Sequence, residues 1–179
     1  IYRPVGVNPD PSVALSEDQI TTLRRFIVQA RLKHPIMIID AYWNNRGEAV
    51  CPAAMGLSHH INSAGDIEFC PPVQFSYSNV YKHGNLTDVF KNDRSLSRLR
   101  KNVAQKTRGC ILLDNPQFLK NHMIDSKAKD SSLRGCFLDE LSSMERHPDH
   151  HVPGHEIEEK SLLYRMAKKY WFFGFGAYG

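Results

Sequence analysis

The sequence predicts a mixed α/β chain: a strand–helix–strand unit over residues 1–50, then a small α+β region over 51–145 built on a β-hairpin and helices. A loop, a helix and an aromatic tail close it over 146–179. Three observations carry this. Ser16-Glu17-Asp18-Gln19 is a capping box with acids in the first turn. Ile36, Met37, Ile38 and Ile39 form a continuous apolar run, the pattern of a strand buried on both faces of a parallel sheet. Cys51 and Cys70 bracket a stretch in which Leu57, His59 and Ile61 alternate into the turn residues Asn62-Ser63-Ala64-Gly65-Asp66 before Ile67 leads back, which reads as a hairpin.

With 179 residues, 41% of them hydrophobic, the chain can bury one moderate core, and two small subdomains fit the same length. The formal charge of +4 comes from dispersed Lys and Arg, so nothing demands a nucleic acid partner. The longest apolar runs fall far short of the ~20 residues that a membrane span needs, and no signal-peptide pattern is visible. No membrane span and a cytoplasmic location are therefore expected. The chain opens at Ile1 inside what reads as a strand, the pattern of a portion of a longer protein.

Taken in order, residues 1–6 read as a strand entering the loop Asn8-Pro9-Asp10-Pro11. In the helix that follows, Ile20, Leu23, Ile27 and Ala30 recur at helical spacing, Arg31 and Lys33 suit its C-terminal end, and Pro35 stops it. Strand, helix and strand make a βαβ unit with a right-handed crossover. Chemistry in such folds gathers at the carboxyl ends of the strands. Asp40 stands there, either as a contact for cofactor or substrate or as a cap for its loop. His59 and His60 point to opposite faces of the hairpin, one set to pack or bond and the other to meet solvent, and either is a candidate ligand or proton donor. Pro71-Pro72 ends the ribbon, so residues 73–83 read as a loop or short edge. Thr87 or Asp88 is the expected N-cap of a short helix, and Ser95 that of a second with Leu96, Leu99 and Val103 on one face.

Arg108-Gly109-Cys110-Ile111-Leu112 recurs as Arg134-Gly135-Cys136-Phe137-Leu138. A glycine before each cysteine permits close backbone approach and leaves amides for sulfur. His147, His150, His151 and His155 cluster among prolines and glycines, which reads as a mobile surface loop. The last helix, over 157–170, places Leu163, Met166, Ala167 and Tyr170 on one stripe. The tail from Trp171 to Gly176 is too apolar to stay in water.

The four cysteines permit three readings. Paired disulfides suit a secreted domain, and Asn85-Leu86-Thr87 is formally a glycosylation sequon. Core thiols are the ordinary case. Joint ligation of a metal or cluster is the third. Zinc would need four distant ligands, since no closely spaced cysteine pair exists, whereas iron–sulfur clusters accept scattered cysteines more readily.

The stretch from Cys51 through Gly65-Asp66-Ile67-Glu68-Phe69-Cys70, the Gly84-Asn85-Leu86 element and the later Gly109-Cys110 resembles the auxiliary iron–sulfur domain, of SPASM or twitch type, found at the C-terminus of radical S-adenosylmethionine (SAM) enzymes. The resemblance covers roughly residues 51–110. It implies that residues 1–50 are the last strand–helix–strand of a partial radical SAM barrel and that Cys51, Cys70, Cys110 and Cys136 hold one [4Fe–4S] cluster. Asp114 or a substrate atom is the alternative fourth ligand. It implies too that SAM is bound by the N-terminal remainder of the same protein, because no Cys-x-x-x-Cys-x-x-Cys loop occurs in these residues. The substrate class is open among peptides, lipids and small molecules. The rival reading is a non-enzymatic binding domain, stapled by disulfides or zinc. Joining Cys51 to Cys136 closes a long loop, so residues 73–153 are expected to depend on the cluster for their order.

Overall fold

The computed structural model describes residues 5–40, 42–56, 58–82 and 85–172. Helix α1, Glu17–Lys33, begins as its capping box dictates: Gln19 N–H donates to Ser16 Oγ at 3.3 Å, and Ser16 N–H donates to Gln19 Oε1 at 2.8 Å. Ile20, Val28 and Ala30 lie on its buried face, while Phe26 and Leu32 are exposed. The chain beyond α1 departs from the expected strand. Ile36, Met37 and Ile39 face solvent, and no strand among the described residues lies beside them. Side chains do what a ladder would have done: Arg31 Nη2 donates to the Ile38 carbonyl at 2.7 Å, and Ile38 N–H donates to the Tyr164 hydroxyl at 2.7 Å. Residues 1–4 of the other expected strand lie outside the described residues, and Val5 and Gly6 are in no strand. The described residues thus contain no βαβ unit.

The hairpin does form, as part of a four-stranded antiparallel sheet in the order β1 (His60–Ile61), β2 (Asp66–Cys70), β3 (Val73–Asn79), β4 (Lys129–Asp130). Its first turn is tied by Gly65 N–H to the Asn62 carbonyl at 3.0 Å. Gly65 has φ +81°, and a Cβ there would stand 2.7 Å from the Tyr81 ring, so glycine answers both the backbone and the close approach. Residues 73–79, expected as a loop or short edge, are the sheet's longest strand. Cys70 pairs with Val73 across Pro71-Pro72, so the prolines occupy the turn, where no ladder N–H is required. Strand β2 is buried on both faces. Ile67 and Phe69 enter the apolar core, while Asp66 accepts from Lys129 Nζ at 2.7 Å and Glu68 accepts from Ser131 Oγ at 2.5 Å. His60 Nδ1 lies 2.6 Å from Glu68 and stays half-exposed.

Helices α2 (Leu86–Asn92) and α3 (Arg94–Lys106) are capped by Asn85 and Asp93, each earlier than expected. Both side chains reach forward: Asn85 Oδ1 accepts from Thr87 N–H at 2.9 Å, and Asp93 Oδ1 accepts from Ser95 N–H at 2.9 Å and Leu96 N–H at 3.0 Å, so one carboxylate oxygen serves two of the free amides of α3. Leu96, Leu99 and Val103 of α3 are buried as their spacing predicts. Helices α4 (Ile111–Asp114), α5 (Pro116–Asp125) and α6 (Phe137–Ser143) complete one core with Phe69, Val73, Phe75, Leu112, Leu113, Leu119, Phe137 and Leu141. Residues 73–153 therefore carry most of the apolar interior, contrary to the expectation that a cluster alone would order them. A smaller core of Ile20, Trp43 and Ala49 lies under α1.

Helix α7, Leu162–Met166, is shorter than expected and continues into a wider turn, Ala167–Phe172. The expected stripe is inverted: Leu163, Met166 and Tyr170 face solvent, and Lys168 is buried. The docking expected of the aromatic tail concerns residues largely outside the described set. Among the described residues no helix is long and apolar enough to cross a membrane.

Candidate functional site

Cys51, Cys70 and Cys110 come from three separate elements and line one cavity of about 240 Å³. Cys51 follows the pairing of Trp43 with Ala49 and opens a single tight turn, its carbonyl accepting from Met55 N–H at 3.0 Å. Cys70 ends β2 at the diproline turn. Cys110 leads into α4, whose Ile111, Leu112 and Leu113 are all buried and so pin the thiol's backbone to the core. Phe69, Val73, Ile111 and the two prolines supply apolar walls.

The histidine-rich segment is a surface loop only in part: Pro148, Pro153, Gly154 and His155 are exposed, but its middle turns inward. Asp149 and His150 are buried; His150 lines this cavity, and Asp149 bonds the backbone of Cys110, which lines it. Asp149 Oδ2 accepts from Cys110 N–H at 2.9 Å and its Oδ1 from His151 N–H at 2.6 Å, with burial pushing its pKa up. His150 lines the cavity itself, stacked on Tyr42 with ring centroids 3.8 Å apart, and its carbonyl accepts from Trp43 Nε1 at 3.1 Å. The prolines and glycines bend this segment back onto residues 107–110, and the contacts that bury it are long-range, which local composition does not encode.

The glycine before Cys110 serves this carboxylate rather than a sulfur. A Cβ on Gly109 would stand 2.2 Å from Asp149 Oδ2, and the neighbouring amides donate to protein oxygens: Gly109 N–H to Thr107 Oγ1 at 3.1 Å, Cys110 N–H to Asp149. Gly109→Ala must therefore displace a carboxylate held by two backbone amides. A loss of about 1–3 kcal/mol is expected in urea unfolding, the usual cost of overpacking, whereas Gly135→Ala, with open space around it, strains only its own backbone at φ +70°.

Cys136 stands apart. It does not line the cavity, and its thiol donates to Glu140 Oε1 at 3.3 Å in a group completed by Arg134; the Glu140 hydrogen bond pushes its pKa up. Asp114, the alternative fourth ligand, is held by Arg146 at 2.9 Å. His59 is half-buried, stacked on Phe90 with centroids 4.2 Å apart, and burial with the nearby Arg100 lowers its pKa to about 4. Neutral near pH 7, it accepts from Arg100.

Among the described residues, Asp40 lies in a buried ionic group of five. Its carboxylate meets Arg31, Lys168 Nζ at 2.9 Å and Arg24 at 3.8 Å, and Glu159 takes Arg31 at 2.5 Å. Burial works against the Asp40 anion, but Lys168 and Arg31 outweigh it and hold its pKa below the ordinary value. Burial lowers Lys168 from 10.5 to about 8, with Asp40 opposing. The unfolded chain therefore binds the extra proton between about pH 8 and 10.5, and this group's contribution to stability is complete above that window and lost as pH falls through about 8. Unfolding of the wild type should gain stability across that window relative to Lys168→Met; equal pH slopes would contradict it. Neither Glu159 nor Lys168 is marked by local sequence, since both sit among other charges that read as solvated.

The donor set suits a thiolate-bound group in type, and the cavity is many times the roughly 10–15 Å³ that one water needs. Among the described residues no three His, Cys, Asp or Glu side chains close on a point that would hold a single ion. Ligands of a cluster bind different irons and stand further apart than those around one ion. No family model, curated protein or solved structure matches this chain.

Proposed function

We propose that this chain is the auxiliary-cluster portion of a radical SAM enzyme, with Cys51, Cys70 and Cys110 as ligands of an iron–sulfur cluster. The observation that carries this reading is the meeting of three cysteines, distant in sequence, at one cavity with apolar walls. When bound there, a [4Fe–4S] cluster supplies one-electron chemistry or an anchoring iron for substrate. The chain's own residues hold the thiolates in place through α4 and the diproline turn, and Phe69, Val73 and Ile111 limit the access of water, which with local hydrogen bonds sets a cluster's potential. SAM cleavage would fall to the N-terminal remainder of the protein, and a peptide, lipid or small-molecule substrate would meet both parts. Phe26, Leu32, Ile36, Met37 and Ile39 are exposed on and after α1, and the body of a partial barrel is a suitable cover for them.

The rival reading is a zinc-binding domain: Cys51, Cys70, Cys110 and His150 are donors of the right type, but among the described residues no three of them close on a point that would hold one ion. Anaerobic reconstitution with ferrous iron and sulfide separates the two. About four irons and about four acid-labile sulfides per chain are expected, as in an all-cubane site. Stoichiometric zinc without sulfide, or no metal at all, would overturn the cluster reading.

A further inference from the structure

We propose that a cationic groove beside α2 and α3 binds the phosphate of a small phosphorylated sugar, at a site separate from the cavity of the three cysteines and independent of the cluster reading. The groove, of about 490 Å³, is lined by Lys91 of α2 and by Arg94, Arg98 and Lys101 of α3. The three on α3 recur at i, i+4 and i+7, so they share one face of the helix, opposite the buried Leu96, Leu99 and Val103. All four cations are exposed, and among the described residues none makes an ion pair or a hydrogen bond. Elsewhere on the surface Lys129, Arg134 and Arg146 each hold a carboxylate, at 2.7, 2.7 and 2.9 Å. The acid that lines the groove, Asp93, is already engaged: its Oδ1 accepts from Ser95 and Leu96 N–H, and its Oδ2 from Ser78 Oγ at 2.8 Å. Like charges three and four residues apart on a helix repel each other. The groove therefore holds an excess of positive charge that a multiply charged anion relieves, and arginine offers phosphate a planar fork with two parallel hydrogen bonds.

The adjoining cleft favours a sugar phosphate over a bare phosphate. It holds about 570 Å³, within the range of small-molecule sites, and shares Asn92 and Asp93 with the groove. Asp88, Asn92 and Ser95 line it with side chains that make no hydrogen bond among the described residues, and these supply a carboxylate, an amide and a hydroxyl for the hydroxyls of a sugar. Tyr77 lines the same cleft. Burial raises its pKa and the charge of Arg98 is among the forces opposing that rise, so Arg98 stands near both spaces. Neither space shares a lining residue with the cysteine cavity.

The test titrates the whole chain with ribose 5-phosphate and with inorganic phosphate, by calorimetry at low salt. Saturable binding of ribose 5-phosphate is expected, tighter than that of phosphate and weakening as salt is added. The double variant Arg94→Ala, Arg98→Ala should raise Kd for both compounds about tenfold or more, the result of losing charge-assisted hydrogen bonds. The double variant Asp88→Asn, Asn92→Ala should weaken ribose 5-phosphate and leave phosphate as it was. Arg25→Ala removes an exposed cation from α1 and should change neither, which separates a site from an effect of net charge. All the substituted side chains are exposed, and circular dichroism checks that each variant keeps its helices. Absence of saturable binding, or a loss in Arg25→Ala equal to that in the arginine double variant, overturns the proposal. So does ribose 5-phosphate bound no more tightly than phosphate. Binding to phosphatidylglycerol vesicles without binding to ribose 5-phosphate overturns it in favour of a lipid headgroup.

Discussion

Cys70→Ala is expected to reduce bound iron and sulfide from about four each to near background, while the sheet and helices α3 to α6 keep their protection against hydrogen exchange. The first half follows from ligand count. A site with three thiolates at one cavity cannot give up one without leaving an iron exposed, and Cys70, at the rim where β2 turns into β3, is replaced by nothing that reaches inward. The second half follows from the core. Phe69, Val73, Phe75, Leu99, Val103, Leu112, Leu113, Leu119, Phe137 and Leu141 belong to one core, in which Cys51 and Cys110 are also buried and against which Cys70 packs only from its edge. Each large side chain contributes roughly 1.5–3 kcal/mol on burial, so the interior does not wait for a metal to assemble. Exchange mapping of the cluster-free variant is the measurement. Retained iron would remove Cys70 from the ligand set, and a loss of protection throughout residues 73–153 would show that the apolar core is insufficient alone.

What could be read from the sequence was what is encoded within a few residues. The capping box at Ser16, the apolar face of α3 and the Gly65 hairpin are all local patterns, and each is present as read. Two errors came from patterns that were local but ambiguous. The apolar run at 36–39 has no periodicity, and it became exposed chain because its amide and carbonyl found Tyr164 and Arg31 rather than a neighbouring strand. Pro71-Pro72 suits the end of a ribbon as well as a turn within one, and Val73, Phe75 and Tyr77 alternate with polar residues in the manner of a strand. In the candidate site, Cys51, Cys70 and Cys110 line one cavity and Cys136 does not. His150 and Asp149 were missed because their burial comes from Tyr42, Trp43 and Cys110, all far away in sequence. The steric need for glycine at 109 was the one available signal, and it pointed at a partner without naming it.

Asp40→Asn should destabilise the chain by about 3–5 kcal/mol, far more than Lys168→Met, because the two changes act oppositely on the charge balance of one buried group. Arg24, Arg31 and Lys168 supply three cations against the two anions Asp40 and Glu159. Removing Asp40 leaves three cations facing a single carboxylate in the interior, and Arg31 and Lys168 each lose a charged acceptor. Removing Lys168 leaves two of each sign. Its remaining cost is the donor lost by the Trp43 carbonyl and by Asp40, whose carboxylate still has Arg31, together worth roughly 1–3 kcal/mol. Methionine also preserves most of the buried stem. The double variant sharpens the argument: with Asp40 neutralised, deleting Lys168 removes one of the unmatched cations, so the combined loss should be smaller than the sum of the two single losses. Urea unfolding at pH 7 of the four proteins measures this directly. A loss on Asp40→Asn no greater than that on Lys168→Met, or strict additivity in the double variant, would show that these five side chains do not act as one electrostatic unit.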